Sequence, residues 1–248
     1  MGTGVTRRRA RALSAFLGAM LATLAPASAQ PASDPPATVA DEHLLEAIDW
    51  YTGVTGRVDD DRARALLLEL TARPDAAPSD ALSRMWLARV HSRGRMGFAR
   101  DEALAREHAR EVLGRVRDLA AAGDVEAAFL MGTAYDEALG VEEDFPEAMR
   151  WYLRAARHGH VLAVHNVGNM YRDGRGVAVD HGRAARWWLR AARAGDVIPA
   201  LRLGEAYEAG RGVPLRGALA AYWYERAAAA GNAAAAEALR RMRSEPGS

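Results

Sequence analysis

The stretch YRDGRGVAVDHGRAARWWLRAARAG, Tyr171 to Gly195, decides the fold. Gly174 and Gly176 flank Arg175, and an arginine-rich segment follows. That composition is compatible with a phosphate cradle, because glycine lets a backbone approach a ligand and a helix start attracts anions. The rest of the chain gives it another meaning. Tyr135, Tyr171 and Tyr207 recur every 36 residues, as do Gly132, Gly168 and Gly204. Trp151, Trp187 and Trp223 keep the same spacing, and so do Gly159, Gly195 and Gly231. The pairs Ala155-Ala156, Ala191-Ala192 and Ala227-Ala228 hold register with them. A period of this length signals stacked helix-turn-helix units, each burying its apolar face against the next.

The chemistry of the columns agrees. In LAVHNVGNMYRDG, Ala163, Val167, Gly168 and Tyr171 fall on one helical face. Gly168, lacking a side chain, permits close approach of a neighbouring helix, and Gly174 is placed to end its own helix in a left-handed conformation. Asp180 stands where a second helix needs its N-cap. One copy earlier, Asp144-Phe145-Pro146-Glu147 combines an acceptor, an early proline and a glutamate three residues on. Trp187 and Ala191 then share the second helix's expected buried face, and Gly195 closes the unit.

These residues resemble the SEL-one-like repeat (SLR) family, relatives of the tetratricopeptide repeats. The family pattern runs Ala-x-x-x-Leu-Gly-x-x-Tyr, Gly-x-Gly-Val, Asp, Ala, Trp-Tyr, Ala-Ala, Gly. Ala127, Met131, Gly132, Tyr135, Gly140, Val141, Asp144, Ala148, Trp151 and Tyr152 carry it in one copy. Ala163, Gly168, Tyr171, Gly174, Gly176, Val177, Asp180, Ala184, Trp187 and Trp188 carry it in the next. Leu203, Gly204, Tyr207, Gly210, Gly212, Val213, Ala220, Trp223 and Tyr224 carry it in the third. That copy departs at Pro199, which suits a helix start, and at Arg216, whose loss of an Asp cap costs roughly 1 kcal/mol. The resemblance implies an all-α, right-handed superhelical α-solenoid.

Two worn copies precede these. Leu87, Ala88, His91, Gly94, Asp101 and Gly123 mark one; His91 lies 44 residues before Tyr135, eight beyond the period. One residue fits in the loop around Met96, and seven lengthen the second helix by two turns. Earlier, Tyr51, Gly56 and Asp60 repeat the spacing of Tyr171, Gly176 and Asp180. The expected organisation is a degenerate copy at 41–78, a divergent copy with an extended second helix at 80–124, and repeats at 125–160, 161–196 and 197–232. A capping helix at 233–243 and a tail at 244–248 complete it.

The first residues read as a secretory signal peptide, 1–29. Arg7, Arg8, Arg9 and Arg11 form a positive region, Ala12 to Ala25 an apolar run, and Ala27-Ser28-Ala29 a cleavage site. The apolar run is too short to span a bilayer. Residues 30–40 form a Pro/Ala-rich linker. All 33 Lys+Arg residues are Arg, which reads as codon bias in a GC-rich genome. Removing the four leader arginines leaves 29 basic against 32 acidic side chains, a net charge of −3. That balance argues against a nucleic-acid partner. An exported chain without cysteine relies on packing rather than disulfides, and the β-lactam binding linked to disulfide-rich secreted members of the family does not carry over. A periplasmic or secreted location is expected.

Site motifs are weaker. The Gly-Arg-Gly loop lacks the Gly-Lys-Ser/Thr and the βαβ setting of phosphate sites, and reads as an inter-helix turn. His158, His160, His165 and His181 crowd one region but follow no metal-ligand spacing, and read as solvated turn residues. No cysteine nucleophile, Gly-x-Ser-x-Gly elbow or Ser-x-x-Lys is present, so the chain reads as non-enzymatic, with no cofactor and no small-molecule substrate. The aromatic columns read as repeat core.

What remains is the concave face that such solenoids use. With Ala163, Val167 and Tyr171 turned inward, His165, Asn169 and Arg172 point the opposite way. Through the copies the His165 position reads Met85, Phe129, His165 and Leu201, a mostly apolar column suited to a groove. Beside it run Arg89, Thr133, Asn169 and Glu205, suited to hydrogen-bonding a peptide backbone. The expected partner is an envelope protein or peptide segment, bound by a scaffold or adaptor. A periplasmic regulator that represses a membrane sensor is the alternative, and an envelope hydrolase the least supported.

Overall fold

A computed structural model describes residues 42–52, 58–72 and 78–244. The signal peptide, the linker and all but the first residue of the tail lie outside the described residues. Those described form eleven helices and no strand. They are α1 (Glu42–Thr52), α2 (Asp60–Thr71), α3 (Pro78–Arg93), α4 (Glu102–Ala121), α5 (Val125–Asp136) and α6 (Phe145–Arg157). Then follow α7 (Val161–Asp173), α8 (His181–Arg193), α9 (Val197–Ala209), α10 (Gly217–Ala229) and α11 (Ala233–Ser244). Each helix packs on its chain neighbour, so helical hairpins stack in sequence order. The chain is an all-α solenoid of helical repeats. Among the described residues, no helix is long and apolar enough to cross a membrane.

One backbone bond sets the register of every hairpin. The N-cap amide of the second helix donates to the carbonyl near the end of the first: Asp144 to Tyr135, Asp180 to Tyr171, Arg216 to Tyr207 and Asp101 to His91. In the earliest copy the same bond joins Asp59 to Trp50 at 3.0 Å. That corrects the register expected there. Asp59, not Asp60, caps α2, accepting from the Arg62 amide, and Trp50 rather than Tyr51 occupies the tyrosine column. Tyr51 is freed to pack edge-on against Trp86.

The glycine column answers a packing demand. A Cβ would lie 2.5 Å from the Tyr152 ring at Gly132, 2.6 Å from Trp188 at Gly168 and 2.4 Å from Tyr224 at Gly204. The second helix of each repeat thus presses an aromatic ring onto the bare backbone of the first. The ring belongs to the residue after the periodic tryptophan. Tyr152, Trp188 and Tyr224 are buried, whereas Trp151 and Trp187 are only half-buried and Trp223 is covered. Tryptophans at that position instead lie beneath a periodic arginine, with Arg154, Arg190 and Arg226 at 5.3, 5.5 and 5.8 Å from the ring centroids. At these positions a guanidinium, rather than only the facing helix, covers a ring face.

The caps follow the sequence. Asp144 and Asp180 accept from the Glu147 and Arg183 amides at 2.9 and 2.7 Å, while Arg216 makes no side-chain cap. The Gly-Arg-Gly loop turns one helix into the next, with Gly174 at φ 70°. It also ties copies together. Arg175 reaches back to Asp136 at 2.6 Å and lies 4.3 Å above the Phe145 ring. A Cβ on Gly176 would lie 2.6 Å from the Phe145 backbone.

Candidate partner-binding face

Partway along, the first helix of each repeat meets the N-cap of the next repeat's first helix. The N-caps of the first helices form their own column, Asp124, His160, Asp196 and the Asn232 that caps α11. The Phe129 ring stacks on His160 at 4.3 Å, and His165 Nδ1 lies 3.2 Å from Asp196 Oδ2. The Met85 column therefore packs against the following repeat. Met85 and Phe129 are 0% exposed and His165 is 8% exposed, so these three do not line an open groove. Only Leu201 in that column stays half-exposed. The cause is that both faces of the first helix are covered, one by its own second helix and one by the next copy.

The neighbouring polar column serves the interior as well. A buried tyrosine hydroxyl or tryptophan N–H needs a partner. Tyr152 donates to Thr133 Oγ1 at 3.3 Å, and Trp188 donates to Asn169 Oδ1 at 3.1 Å. Thr133 is buried, which corrects its expected role in a groove. Arg89 is buried too, lying 4.8 Å above Trp86 and 5.2 Å above Phe129, with Glu137 at 3.9 Å. Burial raises the Asp136 carboxyl above the usual range, against the opposing charges of Arg175 and Arg93.

The histidines are also not solvated turn residues throughout. His160 accepts from the Ala163 amide through Nδ1 at 3.2 Å, which leaves Nε2–H to donate to Glu126 at 3.0 Å. Glu126, buried, accepts from Trp86 Nε1 at 2.7 Å as well. Trp86, Glu126 and His160 thus link three successive repeats. Among the described residues, no three His, Asp or Glu side chains are grouped to hold a metal.

Four of the expected residues remain accessible together: Asn169 and Arg172 on α7, Leu201 and Glu205 on α9. Arg172 bonds Asp173 at 2.5 Å and Arg202 bonds Glu205 at 2.9 Å. The fields of these pairs cross between the helices. Arg172 is raised first by its bond to Asp173, with Glu205 adding to it. The bond to Arg172 lowers Asp173, and Arg202 contributes. At the far end, burial opposes the Glu208 charge, but the Tyr224 hydroxyl and Arg241 hold its carboxyl below the usual range. The result is a face of alternating charge around Leu201, apt for recognition. Asp173, Arg202 and Glu208 were missing from the expected site, although oppositely charged residues three apart in α9 signal an exposed strip.

The chain matches the Sel1 repeat family at residues 125–160, 161–196 and 200–232. It is similar to the crystal structure of a Sel1 repeat protein from Oxalobacter formigenes, at 31% identity and TM-score 0.51, covering 75% of this chain and 50% of that one. It shares its fold with c5321, a protective antigen of uropathogenic Escherichia coli strains displaying an SLR fold. There the identity is 22% and the TM-score 0.52, covering 81% of this chain and 48% of that one. The chain thus spans about half the length of the solved structures it matches. No curated protein shows significant similarity to it. With three matched repeats and a stack of helical hairpins in the same register, the chain is a Sel1-like repeat (SLR) protein.

Proposed function

We propose that this chain is a non-enzymatic interaction module of the bacterial cell envelope that binds a peptide or protein segment on the α7–α9 face. SLR folds generally serve protein–protein interaction. The observation that carries the reading is the half-exposed row Asn169, Arg172, Leu201 and Glu205, where paired charges surround one apolar side chain. Such a strip offers a partner both an anchor and a polar rim. The envelope location rests on the expected signal peptide. It predicts a mature protein beginning at Gln30, and a full-length N-terminus in a cytosolic fraction would contradict it.

The binding test is crosslinking of the tagged full-length gene product in its host, followed by identification of trapped proteins. Leu201→Ser with Arg172→Glu is expected to abolish the dominant crosslinked species while leaving helical content unchanged. Undiminished crosslinking of that species by the folded variant would remove the α7–α9 assignment.

A further inference from the structure

The divergent repeat carries a feature that its sisters lack. In later copies the loop of one repeat sits on the first residues of the preceding second helix. A Cβ on Gly176 would meet Phe145 and Pro146, just after the Asp144 cap, and one on Gly212 would meet His181 and Gly182, just after Asp180. The equivalent Gly140 instead faces Ala109 and Arg110, eight and nine residues after the Asp101 cap. So the 20-residue α4, against 13 for α6 and α8, projects its extra two turns beyond the next repeat's loop. That overhang is about 10 Å at 1.5 Å per residue. It creates a notch of about 630 Å³ between the end of α3, the projecting turns of α4 and the turn at Glu137–Leu139.

The notch is lined by Arg93, Arg95, Arg100 and Arg106, with only Glu102 and Glu137 as acids. Each acid already has two guanidinium neighbours. Glu102 has Arg100 at 2.5 Å and Arg106 at 3.6 Å. Glu137 has Arg93 at 2.7 Å and Arg89 at 3.9 Å, and also accepts from Ser92. Arg95 lies in the field of Asp60 as well. Arg93 also reaches Asp136 at 3.6 Å. A guanidinium has five donors, so these pairings still leave N–H groups in excess. All four notch arginines are exposed to solvent.

We propose that this notch binds an acidic peptide segment of a partner protein, its carboxylates taken by the surplus guanidinium donors. Arg100 precedes the Asp101 cap and Arg106 lies in the second turn of α4, both reaching Glu102. Arg93 ends α3, whereas Arg100 and Arg106 flank the start of α4, so the basic groups stand on two sides of the notch rather than around one point. Alternate acidic side chains of an extended chain, about 7 Å apart along one face, can offer separate carboxylates to the two sides. The site is separate from the α7–α9 face and does not depend on it.

The test is fluorescence anisotropy of a labelled hexapeptide of alternating Glu and Gly, titrated with the full mature chain. A Gln/Gly analogue and inorganic phosphate serve as comparison and competitor. The acidic peptide is expected to bind and the Gln analogue not to. Arg100→Glu with Arg106→Glu should weaken binding at least about tenfold. Arg240→Glu, a surface charge on α11 paired only locally with Glu237, should leave binding unchanged. Circular dichroism checks that each variant is folded. The proposal is overturned if the acidic peptide does not bind, if Arg240→Glu weakens it equally, or if phosphate displaces it at matched charge.

Discussion

The same sequence column behaves differently at the two ends of the stack. In the early copies Met85 and Phe129 are sealed, Trp86 contacts both Tyr51 and Phe129, and Arg89 is roofed over by the same rings. In the later copies His165 is still covered through Asp196, but Leu201 and Glu205 reach the surface. Period determines where a residue sits within its repeat. What covers it depends on the side chain that the neighbouring repeat presents there. Along this column stacked rings close the early copies, whereas polar Asp196 and Asn232 stand at the corresponding caps later.

Breaking the sealed half should have the largest effect. Trp86→Ala removes a buried ring and strips one hydrogen bond from buried Glu126, for a loss of about 3–5 kcal/mol in urea denaturation. A loss as small as that of a surface substitution would contradict the closed early stack. Next comes Gly132→Ala, which forces a methyl against the Tyr152 ring and should cost about 1–3 kcal/mol. Thermal melting reads this directly.

The caps sharpen the comparison between repeats. Asp180→Ala should destabilise by about 1 kcal/mol, and Arg216→Asp should stabilise by a similar amount, since the third copy has no side-chain cap to lose. Identical melting of Arg216→Asp and the parent would refute the missing-cap reading. The smallest expected effect concerns pH. Burial lowers the His108 pKa, and the His91 ring 6.0 Å away adds to this, with Arg84 acting alike and Glu111 and Glu107 opposing. The folded state therefore binds fewer protons than the unfolded chain. Its stability is full above the ordinary histidine pKa of about 6.5 and falls as pH drops through that range. His108→Gln should flatten that part of the stability–pH curve, measured by urea denaturation at a series of pH values.

Much of the fold was legible because its determinants are local. Glycine turns at positive φ, aspartate caps and the Pro146 start all act within a few residues of sequence. Burial depth was not legible, because the face of a helix is readable from periodicity but not the number of neighbours covering it. Hence Trp187 was expected on the buried face but is half-buried, and Met85 and Phe129 were expected more open than they are. His160 escaped as a cap because imidazole seldom serves as one. Its place after Gly159, matching Asp196 after Gly195 and Asn232 after Gly231, was the available signal. In the first copy, the adjacent acids Asp59 and Asp60 made two registers fit, and only the Asp59–Trp50 bond separates them.

The most direct test of the contrast is urea denaturation of Phe129→Ser beside Leu201→Ser, two positions of one column. The account predicts a loss of about 3–5 kcal/mol or more at Phe129 and of about 1 kcal/mol or less at Leu201. Equal losses at the two positions would contradict it.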